Sequence, residues 1–338
     1  MPYVSDIEVI QVGADSTGFP GLSKILYADP IVFLAGGVVF VTTPAFQDIY
    51  KVGDVGRGPG EYLSIKDIAI SADCNEIWCM DVLNSVFRYD INTLAFLGKI
   101  EFKKDKEEYA RAMIPQENEI VALYTPNPVG FFPHDHETFN CLTYFNLSGN
   151  VVDRQLPWTQ VNVMAGFSNP VSTKISGEYI LTPESSNIAY VFNNSGLDHQ
   201  IFFDFGSKWI PEKYFTPKGG DPSAKIGDLF EKDCFKLISS VFYLGDNLYF
   251  HAFGKDSASW NFFLPKNGSR GIRWRSIGTG APPISAIASD GEYLIFNYED
   301  YGSIEAEHDP LKQCVIRKFG LPQKPGFTHL IKVKIHVD

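Results

Sequence analysis

Apolar and polar residues alternate in short runs along this chain, and the runs come in groups. Between Ile65 and Phe102 there are four, Ile65–Ser71, Glu76–Val82, Ser85–Ile91 and Ala95–Phe102, separated by turns rich in Asp, Asn and Gly. Alternation with a period of two predicts half-buried strands, and the polar breaks predict reversals between antiparallel neighbours. A polar turn followed by an apolar or aromatic strand then recurs as Asn75-Glu76-Ile77-Trp78, Asn118-Glu119-Ile120-Val121, Gly177-Glu178-Tyr179-Ile180, Asp246-Asn247-Leu248-Tyr249 and Gly291-Glu292-Tyr293-Leu294. The second residues of these copies lie 43, 59, 69 and 45 positions apart. This is a unit of about 40–45 residues, lengthened by insertions in two intervals.

Four antiparallel strands in such a unit make the blade of a β-propeller, which buries both its faces only when further blades flank it. By the same order blade 3 is expected over 109–158, blade 4 over 168–206, blade 5 over 234–278 and blade 6 from Ile284 onward. Upstream, Ile31–Ala35, Val38–Thr42 and Asp48–Val52 around the Gly36-Gly37 turn supply blade 1, with Leu22–Ala28 either its innermost strand or a lead-in. The sequence therefore predicts one all-β domain over 1–338, a six-bladed β-propeller of four-stranded antiparallel blades closed by its N- and C-terminal strands. Ile7–Val12 and His329–Val337 would share a blade and so remove an open strand edge.

Composition agrees, since 27 Phe and 16 Tyr favour strands, and 29 Gly and 21 Pro spread along the chain supply turns. A formal net charge of −11 gives an averaged field that repels phosphate backbones, so no nucleic acid partner is expected. The five cysteines form no CxxC and no zinc spacing with histidine, and Cys79 in Ile77-Trp78-Cys79-Met80 reads as a small buried hydrophobe. No run reaches the roughly 18–20 apolar residues of a membrane helix, so no membrane-spanning segment is expected.

The stretch Gly56-Arg57-Gly58-Pro59-Gly60-Glu61-Tyr62 follows blade 1. After it come Ile65-Lys66-Asp67-Ile68-Ala69-Ile70, then Met80-Asp81, then Phe87-Arg88-Tyr89-Asp90. With these motifs and six blades, the chain resembles the six-bladed TolB-like, NHL-like propeller proteins of Bacteroidetes, sharply over 48–102 and in architecture elsewhere. The resemblance implies the fold and, because members usually carry an export or lipoprotein signal, a cell-envelope location, periplasmic or as a surface lipoprotein. No such signal or lipidation cysteine is visible in this chain. Physically the heptapeptide reads as a tight connector, in which three glycines can take positive φ, Pro59 stiffens the middle and Arg57 can pair with Glu61. The other reading is that Arg57 or Tyr62 faces a ligand.

In a propeller the connections between blades, and those between second and third strands, emerge on one face. The heptapeptide, Thr125–Phe139, Gly206–Asp233 and Asp300–Lys312 all map there, which predicts a binding face. Thr125–Phe139 carries His134 and His136 beside Asp135 and Glu137; such a set suits a metal or acid–base chemistry, or is simply a solvated loop. Trp209 and Tyr214 in the second long insertion, with Tyr301 and His308 in blade 6, suit stacking on a sugar or peptide, although a small core anchoring a long loop uses the same residues. No catalytic set is visible. Propeller hydrolases often build sites from acids at the inner ends of several blades, where Asp67 or Asn169 would take part, although the sequence does not bring the two together. The function expected is a non-enzymatic envelope binding or scaffold propeller that recognises a glycan, peptide or protein through Arg57, Tyr62, His134, His136, Trp209, Tyr214, Tyr301 and His308. The alternative is a metal-assisted hydrolase or lactonase in the central funnel, and only that reading calls for a cofactor, a divalent cation on the axis.

Overall fold

Each run of alternating residues forms a strand, and consecutive strands pair because the turns between them are short and polar. The structure, a computed structural model, describes residues 4–13, 18–19, 21–103, 110–124, 140–157, 161–162, 171–175, 177–183, 186–216, 228–229, 231–254, 258–266, 271–277, 285–298, 310–319 and 328–336. Blade 1 is Leu22–Leu26, Ile31–Ala35, Val38–Thr42 and Ile49–Val52; blade 2 is Ile65–Ile70, Glu76–Asp81, Ser85–Asp90 and Phe96–Glu101. Blade 3 is Ala110–Pro115, Glu119–Tyr124, Asn140–Asn146 and Val151–Pro157; blade 4 is Val171–Ile175, Glu178–Thr182, Ile188–Asn193 and Gly196–Phe202. Blade 5 is Leu237–Leu244, Asn247–Phe253, Ala258–Leu264 and Ile272–Ile277. Leu22–Leu26 is thus the innermost strand of blade 1 and not a lead-in.

Blade 6 takes Ala286–Ser289, Leu294–Tyr298 and Thr328–Ile335 from one end of the chain and Val4–Val12 from the other. The terminal strands pair antiparallel from Val12↔Thr328 to Val4↔Ile335, which is the expected closure. The six innermost strands touch in the order of their blades and back to the first, so the ring is complete.

Apolar side chains fill the seams between blades. Val32, Leu34, Val39 and Val41 of blade 1 meet Ile68, Ile70, Ile77 and Cys79 of blade 2 in one buried cluster, and similar clusters run through blades 2 to 4, 4 to 6 and 6 to 1. Each fully buried aliphatic side chain contributes about 1.5–3 kcal/mol, so the seams supply most of the drive to close the ring. Among the described residues, no disulfide joins any of the five cysteines.

An innermost strand leaves one edge of its backbone without a ladder partner, and such groups need side chains to satisfy them. Neighbouring blades provide them. Asp67 of blade 2 accepts from Met113 N–H of blade 3 at 2.7 Å, Asn84 accepts from Ala110 N–H at 3.1 Å, and Ala286 N–H of blade 6 donates to Tyr249 Oη of blade 5 at 3.1 Å. Tyr179 of blade 4 passes blade 3 altogether: its hydroxyl donates to the Ile70 carbonyl at 2.6 Å and accepts from Ile70 N–H at 3.1 Å.

Besides two short 3-10 turns, Gly206–Lys208 and Glu212–Tyr214, one longer element among the described residues departs from an all-β chain. The insertion between Leu294–Tyr298 and Thr328–Ile335 carries a helix, Pro310–Phe319, with Leu311 and Val315 buried one turn apart against blade 5.

Candidate functional site

The registers place the start of each innermost strand, the turn between second and third strands and the end of the outermost strand at one end of every blade. This end is called the upper face. The connector from blade 1 to blade 2 begins and ends on it and then drops into the seam. Asp54-Val55 runs parallel to Glu61-Tyr62, and Gly56 N–H donates to the Tyr62 carbonyl at 3.0 Å. Tyr62 is buried, its hydroxyl donating to the Val52 carbonyl at 2.8 Å and accepting from Val39 N–H at 3.3 Å. From the other side, Tyr89 of blade 2 donates to the Gly60 carbonyl at 2.7 Å.

The three glycines of the heptapeptide serve two different ends. Only Gly60 has positive φ, +75°, and a Cβ there would meet Phe96 at 2.9 Å. Gly56 and Gly58 instead leave room for Glu61: a Cβ on Gly56 would lie 2.0 Å from the carboxylate, which accepts from Gly58 N–H at 2.7 Å. The Arg57–Glu61 ion pair expected from the sequence is not formed, because a backbone donor three residues back reaches the carboxylate first. Arg57 itself is exposed. The motifs downstream are structural as well. Arg88 clamps Glu76 across the sheet through Nε at 2.7 Å and Nη2 at 2.5 Å, and Asp90 and Asp81 each accept backbone N–H groups of the turn that follows.

On the innermost strand of blade 2, Asp67 is buried between three blades. One carboxylate oxygen is 2.6 Å from Lys24 Nζ of blade 1 and the other accepts the Met113 N–H of blade 3. Burial pushes the Lys24 ammonium below its ordinary pKa, while Asp67 beside it acts in the opposite sense. The carboxylate named from the sequence as a candidate for an axial site is thus engaged in joining blades. Asn169 lies outside the described residues. Among the described residues, no group of three or more His, Cys, Asp or Glu side chains is placed to hold a metal ion.

Blade 5 contributes a pair that the sequence reading missed. Ser239, on the innermost strand, hydrogen-bonds His251 Nδ1, and His251 is buried beside its cross-strand partner Asn261. Burial drives the His251 pKa down to about 3, so the ring is neutral and a weak base, which does not suit it to activate the serine. The signal was present, since His251 lies two positions from Tyr249 in an alternating strand and so shares its inward face.

Trp209 and Tyr214 anchor the insertion between blades 4 and 5. The Trp209 ring stacks on Phe205 with centroids 5.5 Å apart and is half-buried. Tyr214 is buried with Ile210, Leu229, Cys234 and Leu237, its hydroxyl bonded to Asp228, and burial together with that carboxylate raises its phenol pKa to about 12. Lys236 closes the base of the loop by donating to the carbonyls of Lys232, Cys234 and Gly254 at 3.2, 3.1 and 3.0 Å. Of the expected binding residues, Tyr62 and Tyr214 therefore face inward, Trp209 is half enclosed and Arg57 faces solvent. His134, His136, Tyr301 and His308 lie outside the described residues.

Comparison with known proteins agrees with the ring. The family DUF5128, described as a 6-bladed beta-propeller, matches residues 13–266. The crystal structure of a "Putative exported protein" from Bacteroides fragilis NCTC 9343 superposes with a TM-score of 0.72 at 13% identity, covering 100% of this chain and 98% of that one. The WD40 repeats of RRP9 (TM-score 0.48, 12% identity, 98% of this chain, 99% of that chain) and a chain of the Mitotic Checkpoint Complex (0.48, 6%, 99% and 92%) are too distant to carry functional meaning. No curated protein matches the chain.

Proposed function

The chain belongs to this six-bladed β-propeller family, and from that premise we propose that it is a non-enzymatic binding or scaffold protein of the cell envelope that recognises its partner through the upper face. The observation that carries this reading is the division of labour between axis and rim. Asp67, Asn84 and Tyr179 satisfy backbone groups of other blades and Lys24 pairs with Asp67, while the long insertions leave their flanking strands at the upper end, and the one between blades 4 and 5 is stiffened by its own small core. Exposed and half-buried groups there, Arg57 and Trp209 among the described residues, are the contacts on this reading, with His134, His136, Tyr301 and His308 in the same loops. Placement among the TolB-like, NHL-like members rests on the Gly56–Tyr62 motif. The envelope location is supported by that resemblance and by the structural neighbour from Bacteroides fragilis titled a "Putative exported protein".

The test pairs a thermal-shift screen against glycan and peptide libraries with a hydrolysis assay on lactones and phosphodiesters in the presence of Ca2+, Mg2+ or Zn2+. Saturable binding without turnover is the expected result. Metal-dependent turnover lost in Asp67→Asn, with the variant still folded, would establish the hydrolase reading instead.

A further inference from the structure

Aromatic side chains gather where blades 4 and 5 meet the upper face. Phe205 follows the outermost strand of blade 4 and Phe235 leads into the innermost strand of blade 5, with their ring centroids 4.5 Å apart. The two stretches are joined by Phe235 N–H, which donates to the Lys208 carbonyl at 2.6 Å, and by a parallel bridge between Trp209 and Phe235. From the third strand of blade 5, Phe262 and Trp260 come within 5.6 and 6.5 Å of Phe235. Trp209, stacked on Phe205, extends the cluster. All five rings are partly exposed, unlike the enclosed Tyr214 that anchors the same insertion. A row of partly exposed rings is a contact surface rather than a sealed core.

Two cations border it. Ile272–Ile277 pairs with Ala258–Leu264 so that Arg275 stands opposite Trp260 and Arg273 opposite Phe262. Both guanidinium groups lie over the Trp260 ring, 5.4 Å from its centroid for Arg273 and 5.8 Å for Arg275. A guanidinium stacked on a ring keeps its in-plane N–H donors for an anion. Among the described residues no carboxylate pairs with either arginine; Arg273 is exposed, and the Arg275 Nε is enclosed without an acceptor. The acids that flank the rings in sequence are directed elsewhere, Asp204 accepting from Gly206 N–H at 2.7 Å and Asp233 pairing with Lys208. A net charge of −11 repels anions from the surface at large, so the two arginines single out this spot.

We infer that this seam binds an acidic oligosaccharide, a hexuronate ring lying on the aromatic surface with its carboxylate on Arg273 and Arg275; the inference rests on the reading of the protein as a binding propeller. A hexuronate carries an apolar C–H face and a carboxylate on one rigid ring. That pairing matches aromatic faces bordered by guanidinium groups, and it leaves little to be ordered on binding. In a peptide the same two features sit on separate flexible side chains, and a neutral sugar would leave the cations unmet.

The probes are the tetramers of galacturonate, mannuronate and guluronate, titrated calorimetrically into the full chain. Their methyl esters serve as neutral controls, and acetylated, amidated tetraglutamate is the peptide of equal charge. At least one uronate should bind, and its ester and the peptide should bind at least about tenfold more weakly, which is the loss of one charged hydrogen bond. Arg273→Gln should weaken the uronate to the same degree while the melting temperature holds, because the side chain is exposed. Trp260→Ala removes the ring beneath both cations and should abolish binding; Arg273→Gln keeps the test decisive if that variant unfolds. Equal affinity for acid and ester, tetraglutamate binding as tightly, full affinity in Arg273→Gln, or no binding by any uronate overturns the inference. In the last case a ligand of another class found in the library screen would leave the broader reading standing.

Discussion

Tyr89 of blade 2 donates its phenolic hydrogen to the carbonyl of Gly60, 2.7 Å away in the connector leaving blade 1. With Tyr62 bonded to Val52 and Val39 on the opposite side, one short loop is held to both blades it joins. The heptapeptide is therefore a seam fitting, and the residue types in it follow from the space and donors available there.

Gly60→Val should destabilise the protein by about 1–3 kcal/mol, from left-handed strain together with the contact to Phe96. Tyr89→Phe should cost about 1–2 kcal/mol by leaving the Gly60 carbonyl without its donor. Urea unfolding of the two variants checks both values; no change in either would detach the loop from the stability of the ring.

Lys24 and Asp67 should be strongly coupled. Removing one member of a buried ion pair strands the other, so Lys24→Met and Asp67→Asn should each cost about 3–5 kcal/mol. The double variant should be less damaging than the sum, and a double-mutant cycle measures the difference.

His251 predicts an acid-sensitive window. Its folded pKa of about 3 lies below the ordinary value of 6.5 for the unfolded chain, so below pH 6.5 the unfolded state takes up a proton that the native state refuses. The stability contributed above pH 6.5 is then lost progressively as pH falls toward 3, at up to about 1.4 kcal/mol per pH unit. Stability curves at pH 7, 6, 5 and 4 should be flatter for His251→Gln than for the parent, by about one proton in slope.

Deleting residues 1–12 should expose the edge of Thr328–Ile335 and lower the melting temperature by several degrees or cause aggregation. Light scattering on heating distinguishes the two. A truncated chain as stable as the parent would mean that the three remaining strands of blade 6 suffice.

Tyr214→Ala and Trp209→Ala separate two roles for the long insertion. Tyr214 is enclosed and hydrogen-bonded, so its loss should loosen the loop, read as faster hydrogen exchange over 203–236. Trp209 is half exposed, and its loss should leave exchange nearly unchanged while weakening any ligand stacked there by about 1–3 kcal/mol.

The fold was legible in the sequence because a blade is a local object. Asn75-Glu76-Ile77-Trp78 and its four counterparts carry turn and strand within a few residues, so alternation alone locates them. What links blades is not local. Tyr179 and Ile70 are 109 positions apart, and nothing in either segment marks the other. The Arg57–Glu61 pairing failed for a related reason: sequence supplies the charges, but the nearest donor to Glu61 is a backbone N–H whose position depends on how the loop turns at Gly60. Trp209 and Tyr214 were ambiguous because a loop core and a binding platform use the same aromatics, and only the contact of Tyr214 with Asp228 separates them. Leu311 and Val315, four apart after Pro310, were a readable helix signal that begins at the end of the loop assigned to Asp300–Lys312.

The pairing of Val4–Val12 with Thr328–Ile335 also has a consequence in time. At ~5–20 residues per second a ribosome takes roughly 15–60 s to travel from one strand to the other, and throughout that interval the first of them has no partner to zip onto. The ring is thus a clasp whose two halves leave the ribosome far apart in synthesis. A chain built this way cannot lock early, and it stays threadable until its last strand arrives.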